Sequence, residues 1–348
     1  MSHEREGEGP GAPGLDLLLK EDIMKRHAVT ATLLIGLLAA VFPTGDARGA
    51  DKFPVKPVTA LVGFPPGGST DLIARALEPV MKGHFGQPLV VVNRTGGVGT
   101  IAVSELVKAK PDGYTVCVCP IGPITTQPHL ADLPYRPDDY VPIIHIAKFV
   151  GVLSVKADAP WKTLQEFLAH VKSKPGQARI SHAGVGTINH LGLEELKLQA
   201  KLDFTGLPTG GGAPAVVSML GGHVEASAHN TNEIVAQVEA KKARVLGVFD
   251  DKRSARFPDV PTFKELGYDV SATNFYVILV PRATPPEIQK TLHDAFKKAI
   301  ADPAFVQTAD RLVFDLEYQG PEEAARRLAR AYQKNGELIR QLGLPKRQ

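Results

Sequence analysis

The chain has 348 residues and a mass of 37.3 kDa, which is enough for two domains of ordinary size. Hydrophobic residues make up 43% and charged residues 22%, and this composition excludes a disordered, collagen-like or coiled-coil protein. Forty basic residues against 37 acidic ones leave a net charge of +3, so no basic excess indicates a nucleic-acid partner. Two cysteines cannot form a disulfide framework.

Residues 1–49 are interpreted as an N-terminal extension and a secretory signal peptide. The basic residues Lys25 and Arg26 precede an apolar run over residues 28–42, which is too short for a typical membrane span. Ala47 and Gly49, in the small-x-small pattern of residues 47–49, suit a signal peptidase, so the mature chain is expected to begin near residue 50, outside the cytoplasm. An uncleaved membrane anchor is the alternative. Met24 is a second candidate for the true start, because the preceding residues are polar and have no obvious use.

After residue 51, short β-rich runs alternate with amphipathic helical runs, which indicates an α/β fold. Strands are predicted at residues 58–64, 89–93, 114–119, 143–149, 152–155, 179–183, 224–228, 245–249 and 275–280. Helices are predicted at residues 70–82, 100–109, 163–172, 188–198, 213–220, 232–240, 286–301 and 321–342. Strands this apolar, separated by helices, favour parallel sheets that are covered on both faces.

The strand at residues 275–280 is isolated, and long C-terminal helices follow it. This arrangement predicts a two-lobed protein whose chain crosses to a second lobe near residue 150 and returns near residue 277. The predicted division is lobe 1 at residues 50–150, lobe 2 at residues 151–276, and a return to lobe 1 over residues 277–348.

The first strand-to-helix junction has the composition of an anion site. Gly67 and Gly68 allow a ligand to approach closely, and Ser69 or Thr70 is placed to cap a helix that starts near Asp71. Free N–H groups at such a helix start, together with the helix dipole, attract an anion such as a carboxylate. A plain cap and turn is the alternative. No lysine follows the glycines at the spacing of a nucleotide P-loop.

Three later turns repeat this pattern. Residues 97–102 match G-x-G-x-x-A, but no acid ends the next strand, so a backbone anion nest or tight packing is favoured over a dinucleotide site. Residues 184–190 place a hydroxyl, an amide and an imidazole close together, with helix capping as the plainer interpretation. Residues 209–214 form the fourth turn. Because ligands bind beyond the carboxyl ends of strands in α/β sheets, these loops are expected to converge.

Strong catalytic and metal-binding motifs are missing from the sequence. It contains 11 histidines but no H-E-x-x-H pair, and no G-x-S-x-G elbow. No catalytic residue, metal or cofactor is therefore predicted. Cys117 and Cys119 are interpreted as buried, unbridged residues. Four histidines are interpreted as surface or core residues: His182, His190, His223 and His229.

A series of short motifs, running in order from residue 54 onwards, carries a resemblance to a known family. They lie at residues 64–71 with Arg75, 86–88, 91–97, 111–115, 133–135, 174–176, 184–191, 210–215, 220–224 and 256–267. Together they are similar to the extracytoplasmic solute-binding proteins of tripartite tricarboxylate transporters, the Bug or TctC-like family. The resemblance covers nearly the whole mature chain.

This resemblance implies a type II periplasmic binding protein fold, in which two α/β lobes joined by crossing strands close on a ligand. It also implies that a carboxylate is held by the first strand–helix loop and by a loop of the opposite lobe. The residues so implied are Gly67, Gly68, Ser69, Thr70 and Asp71 in the first loop, and Gly184, Gly186 and Thr187, with His190 nearby, in the second. Thr125, in a loop that varies between relatives, is a further candidate pocket residue.

The function implied is capture of a small organic carboxylate by a secreted, periplasmic, monomeric protein that delivers it to membrane permease subunits. No catalysis and no nucleic-acid partner are expected. A sensor that presents the ligand to a membrane receptor is the second hypothesis, and an exported α/β enzyme is the third. The chain departs from the family pattern at residues 207–209, 218 and 275–278, so the particular acid is not identified.

Overall fold

The computed structural model describes residues 53–346, and the predicted extension and signal peptide lie outside them. The ten strands are β1 Val58–Val62, β2 Leu89–Asn93, β3 Thr115–Pro120, β4 Tyr140–Lys156, β5 Arg179–His182, β6 Thr205–Pro208, β7 Ala226–Asn230, β8 Ala243–Phe249, β9 Thr273–Pro281 and β10 Asp315–Gln319. They join in the order β2-β1-β3-β9-β4-β7-β5-β6, and β8 and β10 pair with β4.

Helices cover the sheet on both sides. They are α1 Ser69–Phe85, α2 Thr100–Lys108, α3 Gly122–Thr125, α4 Gln127–Leu130, α5 Leu164–Ser173, α6 Ile188–Gln199, α7 Gly212–Leu220, α8 Val235–Glu239, α9 Pro286–Ile300, α10 Pro303–Arg311 and α11 Pro321–Gln341. Within residues 53–346, no helix combines the length and hydropathy needed to cross a membrane.

The first lobe is built on the parallel strands β2, β1 and β3, with β9 antiparallel to β3. The helix α1 follows β1 directly and turns its apolar side towards this sheet. Ile73, Leu77 and Met81, spaced four residues apart, are completely buried there together with Phe296 of α9. This packing fixes the amino-terminal end of α1 at the carboxyl end of β1.

The second lobe repeats the arrangement around the parallel strands β6, β5 and β7. The helix α6 follows β5, and α7 follows β6. Phe167, Leu193 and Phe249 belong to the apolar core of this lobe. The amino-terminal ends of α6 and α7 therefore also lie beyond the carboxyl ends of parallel strands, as α1 does in the first lobe.

A single long strand, β4, joins the two lobes. Its residues 140–150 pair with β9 in the first lobe, and its residues 151–156 pair with β8 in the second. Gly151 stands at this changeover, where a Cβ atom would lie 2.9 Å from the carbonyl oxygen of Ala272 on the returning chain. The crossing therefore depends on a residue without a side chain.

Several details differ from the sequence predictions. The expectation of parallel sheets is correct inside each lobe but wrong where the lobes meet, because β4 and β9 are antiparallel to their neighbours. The strands predicted at 143–149 and 152–155 are one continuous strand. The strands β6 and β10 were not predicted, since both contain residues that are mostly polar or exposed and show no apolar alternation.

Candidate functional site

A partly enclosed cavity of about 40 Å³ lies between the lobes, with room for about three water molecules. Loops after β1, β3, β5, β6 and β7 supply most of its wall, and β9 supplies the rest. The lining residues are Phe64, Pro65, Gly68, Ser69, Thr70, Pro120, Ala183, Thr187, Asn189, Gly211, Gly212, Ala213, Pro214, Asn230, Glu233, Asn274 and Tyr276. The strand-to-helix turns thus meet at the carboxyl ends of parallel strands.

The strand-to-helix turn after β1 supplies a backbone N–H donor and a hydroxyl group to the cavity. Helix α1 begins at Ser69, so Gly68 occupies the N-cap position and makes no side-chain cap. The prediction that Ser69 or Thr70 caps this helix is wrong, because the helix starts two residues earlier than expected and both residues lie within its first turn. Their polar groups are directed to other partners instead.

Ser69 contacts the second lobe through both its backbone N–H and its hydroxyl. Its N–H donates to Oε1 of Glu233 over 3.2 Å. Its hydroxyl oxygen lies 2.8 Å from Oδ1 of Asn232 and 3.1 Å from Oε1 of Glu233, and it accepts from Nδ2 of Asn230 over 2.9 Å. The first turn of α1 is therefore already engaged with a carboxylate of the opposite lobe.

Asp71 supports the loop from behind. Its carboxylate accepts hydrogen bonds from the Gly67 N–H and from Nδ2 of Asn93, both over 2.9 Å, and pairs with Arg75 at 3.0 Å. Asp71 and Gly67 are not among the residues that line the cavity. These contacts hold the loop in the shape that presents Ser69.

The second-lobe turn divides its residues between the cavity and the lobe interface. Thr187 lines the cavity, and its Oγ1 caps α6 by accepting from the His190 N–H over 3.3 Å. Gly186 lies against Gln127 and Leu130 of the first lobe, and its carbonyl oxygen accepts from the Thr126 hydroxyl. Gly184, His190 and Gly186 do not lie among the lining residues.

Other predicted residues are buried away from the cavity. Thr125 donates to the carbonyl oxygen of Ile121 over 2.8 Å and accepts from Nδ2 of Asn335 over 2.9 Å. The turn at 97–99 packs tightly, since a Cβ on Gly63 would lie 2.6 Å from Cα of Gly99. Tight packing, one of the two interpretations offered for that turn, is therefore observed.

The interpretation of the histidines and cysteines as core or surface residues is confirmed. Cys117 and Cys119 are buried and unbridged. Three of the four named histidines are buried, and His223 is exposed. Among residues 53–346, no group of three histidine, cysteine or acidic side chains is close enough to hold a metal ion.

Sequence reasoning missed a polar cluster that comes from β7, β9 and the turn after β7. Asn230 donates from Nδ2 to the Tyr276 hydroxyl over 3.0 Å, and Asn274 donates to the same hydroxyl over 3.2 Å. Glu233 follows three residues after Asn230 in a 3-10 turn and accepts from the Asn230 N–H over 2.9 Å. The N-x-x-E spacing of a capping box was the one local signal available.

The cavity has donors and acceptors but little charge. Glu233 and Tyr276 are its ionisable lining groups, and no lysine, arginine or histidine contributes to the wall. Burial raises the pKa of the Glu233 carboxyl and that of the Tyr276 hydroxyl. Asn189 is only 4% exposed, and its Oδ1 has no hydrogen-bond partner within the described part of the chain. Any anion held here is bound by dipoles rather than by cations.

Comparison with known families identifies the chain. Residues 73–344 match the family described as tripartite tricarboxylate transporter family receptor. The chain belongs to this family. A relative from Cupriavidus necator, named UPF0065 protein in gbd 5'region, is 35% identical over 327 residues, which are 94% of this chain and 98% of that protein. The family predicted from the sequence motifs is therefore confirmed.

Solved structures of similar proteins have the same fold. The periplasmic binding protein BugD is 27% identical, with a TM-score of 0.80 over 85% of this chain and 100% of its own. MatC from Rhodopseudomonas palustris, with bound malate, is 27% identical, with a TM-score of 0.78 over 82% of this chain and all of its own. A second R. palustris protein, with adipate, has a TM-score of 0.78 at 26% identity, over 84% of this chain and 98% of its own. The predicted two-lobed periplasmic binding protein fold is confirmed.

Proposed function

We propose that this receptor captures a small organic carboxylate in the interlobe cavity and delivers it, in the periplasm, to the membrane subunits of a tripartite transporter. One observation carries the proposal. The N–H of Ser69, at the start of the 17-residue helix α1, donates to a carboxylate oxygen of Glu233, which belongs to the opposite wall of the cavity. The helix dipole, the Ser69 N–H and the Ser69 hydroxyl act together there, and this supports the binding of a solute carboxylate at the same corner.

The identity of the ligand class is further supported by the relatives. MatC holds malate and the second R. palustris protein holds adipate, and both are dicarboxylates bound by chains of the same fold. The absence of basic residues from the described cavity wall suits recognition through backbone amides, hydroxyls and waters. A short dicarboxylate is therefore the first class to examine.

Capture works through closure of the two lobes. Ser69 and Thr70 stand on one side of the cavity, and Thr187, Asn189 and Asn230 stand on the other. A ligand that touches both sides binds the closed arrangement more tightly than the open one, and it shifts the population towards closure by that difference in affinity. The closed form is then the signal that the membrane subunits read.

The proposal is tested by a thermal-shift screen of the purified protein against dicarboxylates, tricarboxylates, aromatic acids and amino acids. An acid at 100 times its dissociation constant adds about 2.7 kcal/mol to the free energy of unfolding, which raises Tm by a few degrees. Calorimetry then gives the affinity of each acid that shifts Tm. If a protein shown by native mass spectrometry to be free of ligand binds none of these acids, carboxylate capture is wrong.

Delivery is tested separately in the source cell. Deletion of the gene is expected to abolish uptake of the radiolabelled acid that calorimetry identifies, and the restored gene is expected to return it. Unchanged uptake in the deletion strain, together with a lost transcriptional response to the acid, would instead make the protein a sensor.

A further inference from the structure

We propose that Glu233 is an internal carboxylate that occupies the solute-carboxylate position at the start of α1, so that a solute binds by replacing it. The inference rests on the proposed function and names the group that sets its affinity. The start of α1 in the first lobe is occupied by a side chain of the second lobe.

Each carboxylate oxygen of Glu233 has donors of the kind a bound solute would use. Oε1 accepts from the Ser69 N–H over 3.2 Å and lies 3.1 Å from the Ser69 hydroxyl oxygen. Oε2 accepts from the Asn230 N–H over 2.9 Å. The first lobe thus provides a backbone amide and a hydroxyl, and the second lobe provides a backbone amide. Proteins use such groups to hold an anion without a cation.

The surrounding glycines show that space is reserved for this carboxylate. A Cβ on Gly212, the first residue of α7, would overlap the Glu233 carboxylate, and a Cβ on Gly68 would lie 3.7 Å from Oε1. The carboxylate therefore lies between the amino-terminal ends of α1 and α7, which are nine residues or longer. Two helix dipoles favour negative charge at this point.

Charge balance makes simultaneous occupation by a second anion unfavourable. Among the described residues, no lysine or arginine pairs with Glu233, and no basic side chain lines the cavity. Two carboxylates a few ångströms apart repel strongly where water is scarce. Because two ionised carboxylates repel, we expect a solute carboxylate to take the place of Glu233 rather than to lie beside it.

This exchange has two consequences. The Glu233 contacts stabilise closure before ligand arrives, and they compete with the ligand for the Ser69 N–H. Only the difference between the solute contacts and the Glu233 contacts contributes to the observed affinity. Solutes with a second polar group, which gain contacts that Glu233 cannot make, are selected over simple monocarboxylates.

The test compares Glu233→Ala and Glu233→Gln with the unmodified protein by calorimetry, using malate and adipate as probes. Removal of the competing carboxylate is expected to tighten binding of the acid that the protein takes by about tenfold in Glu233→Ala and by less in Glu233→Gln. Glu239→Gln is the matched control, since Glu239 is an exposed acid of the same segment that pairs with Arg256. Unchanged or weaker binding in both Glu233 variants would overturn the proposal.

A second readout needs no ligand and separates this proposal from the proposed function. Spin labels at Lys82→Cys in the first lobe and Lys172→Cys in the second report the distance between lobes, and the native cysteines are buried. The Glu233→Gln substitution is expected to shift the ligand-free protein towards longer distances. An unchanged distance distribution would rule out the internal carboxylate as a contact that holds the cleft closed. If the distances lengthen but no acid binds any variant, the proposed function fails and the closing contact stands.

Discussion

Asn230, at the end of β7 in the second lobe, donates from Nδ2 to the Ser69 hydroxyl oxygen of the first lobe over 2.9 Å. The same amide donates to the Tyr276 hydroxyl over 3.0 Å, on the strand that returns between the lobes. One side chain thus connects the helix start of one lobe, the strand end of the other and the crossing segment. Substitutions around it are expected to change closure and binding together.

Ser69→Ala is expected to weaken binding of the cognate acid without unfolding the protein. The hydroxyl contacts three groups across the cleft, and its loss costs about 1–2 kcal/mol, or a fall in affinity of roughly 5- to 30-fold. Calorimetry measures the change. Ser104→Ala is the control, because the Ser104 hydroxyl bonds within α2 and lies outside the cavity wall. An affinity equal to that of the unmodified protein would remove the Ser69 hydroxyl from the site.

Gly186→Val is expected to hold the lobes apart. The Cβ would run into Gln127 and Leu130 of the opposite lobe, and the residue has a φ of 80°, which a β-branched side chain adopts only with strain. Affinity is expected to fall by about tenfold or more, while the far-UV circular dichroism stays native.

Gly222→Val is the control that introduces backbone strain without a steric clash between the lobes. Gly222 has a φ of 72°, but no atom lies within 4 Å of the position its Cβ would take. Both valine variants are expected to lose about 1–2 kcal/mol of folding stability through backbone strain, but Gly222→Val is expected to keep its affinity for the acid. Equal loss of affinity in the two variants would show that strain, and not the interlobe contact, is responsible.

The stability of the protein is expected to fall as the pH drops from about 6.5 to 4. Burial lowers the pKa of His145, His182 and His229 to about 4, whereas the unfolded chain binds these protons near pH 6.5. Between those values the unfolded state carries more protons, so the stability that is present above pH 6.5 is lost on acidification.

The free energy of unfolding from urea titrations at several pH values measures this slope. Each histidine contributes up to about 1.4 kcal/mol per pH unit in the middle of the window. His182→Asn is expected to reduce the number of protons taken up on unfolding in this pH window by roughly one. His223→Asn serves as control, since His223 is exposed. Glu233 acts in the opposite direction, because its raised pKa favours the folded state at low pH. A free energy of unfolding that does not change from pH 6.5 to 4 would contradict the lowered pKa values of the buried histidines.

Gly151→Ala is expected to destabilise the crossing between the lobes. The added Cβ would lie 2.9 Å from the carbonyl oxygen of Ala272, which is backbone and cannot rotate away. A loss of about 1–3 kcal/mol is expected, measured by urea unfolding. Gly83→Ala is the matched control, because Gly83 lies in α1 with open space around it, and a gain of about 0.5–1 kcal/mol is expected there. A Gly151→Ala protein of unchanged stability would show that the strand can shift to admit the methyl group.

Local patterns in the chain predicted most of the elements and the turns that form the site. The α/β alternation appears as predicted for both lobes, and Gly68, Ser69, Thr70 and Thr187 do line the cavity. The helix starts were readable because glycine, hydroxyl residues and apolar periodicity are local properties of the chain. The edge strands β6 and β10 were missed, since pairing with a neighbour, and not their own sequence, makes them strands.

The division between sequence and structure is clearest at Ser69 and Glu233, which are 164 positions apart in the chain. The sequence by itself determined the family, the two α/β lobes and a helix start suited to an anion, because motifs and capping patterns act over a few residues. Only the tertiary structure decided what occupies that helix start and which glycines leave space for it. These relationships depend on two lobes meeting across a cleft, and the contacts that bring distant residues together leave no periodic trace in either segment.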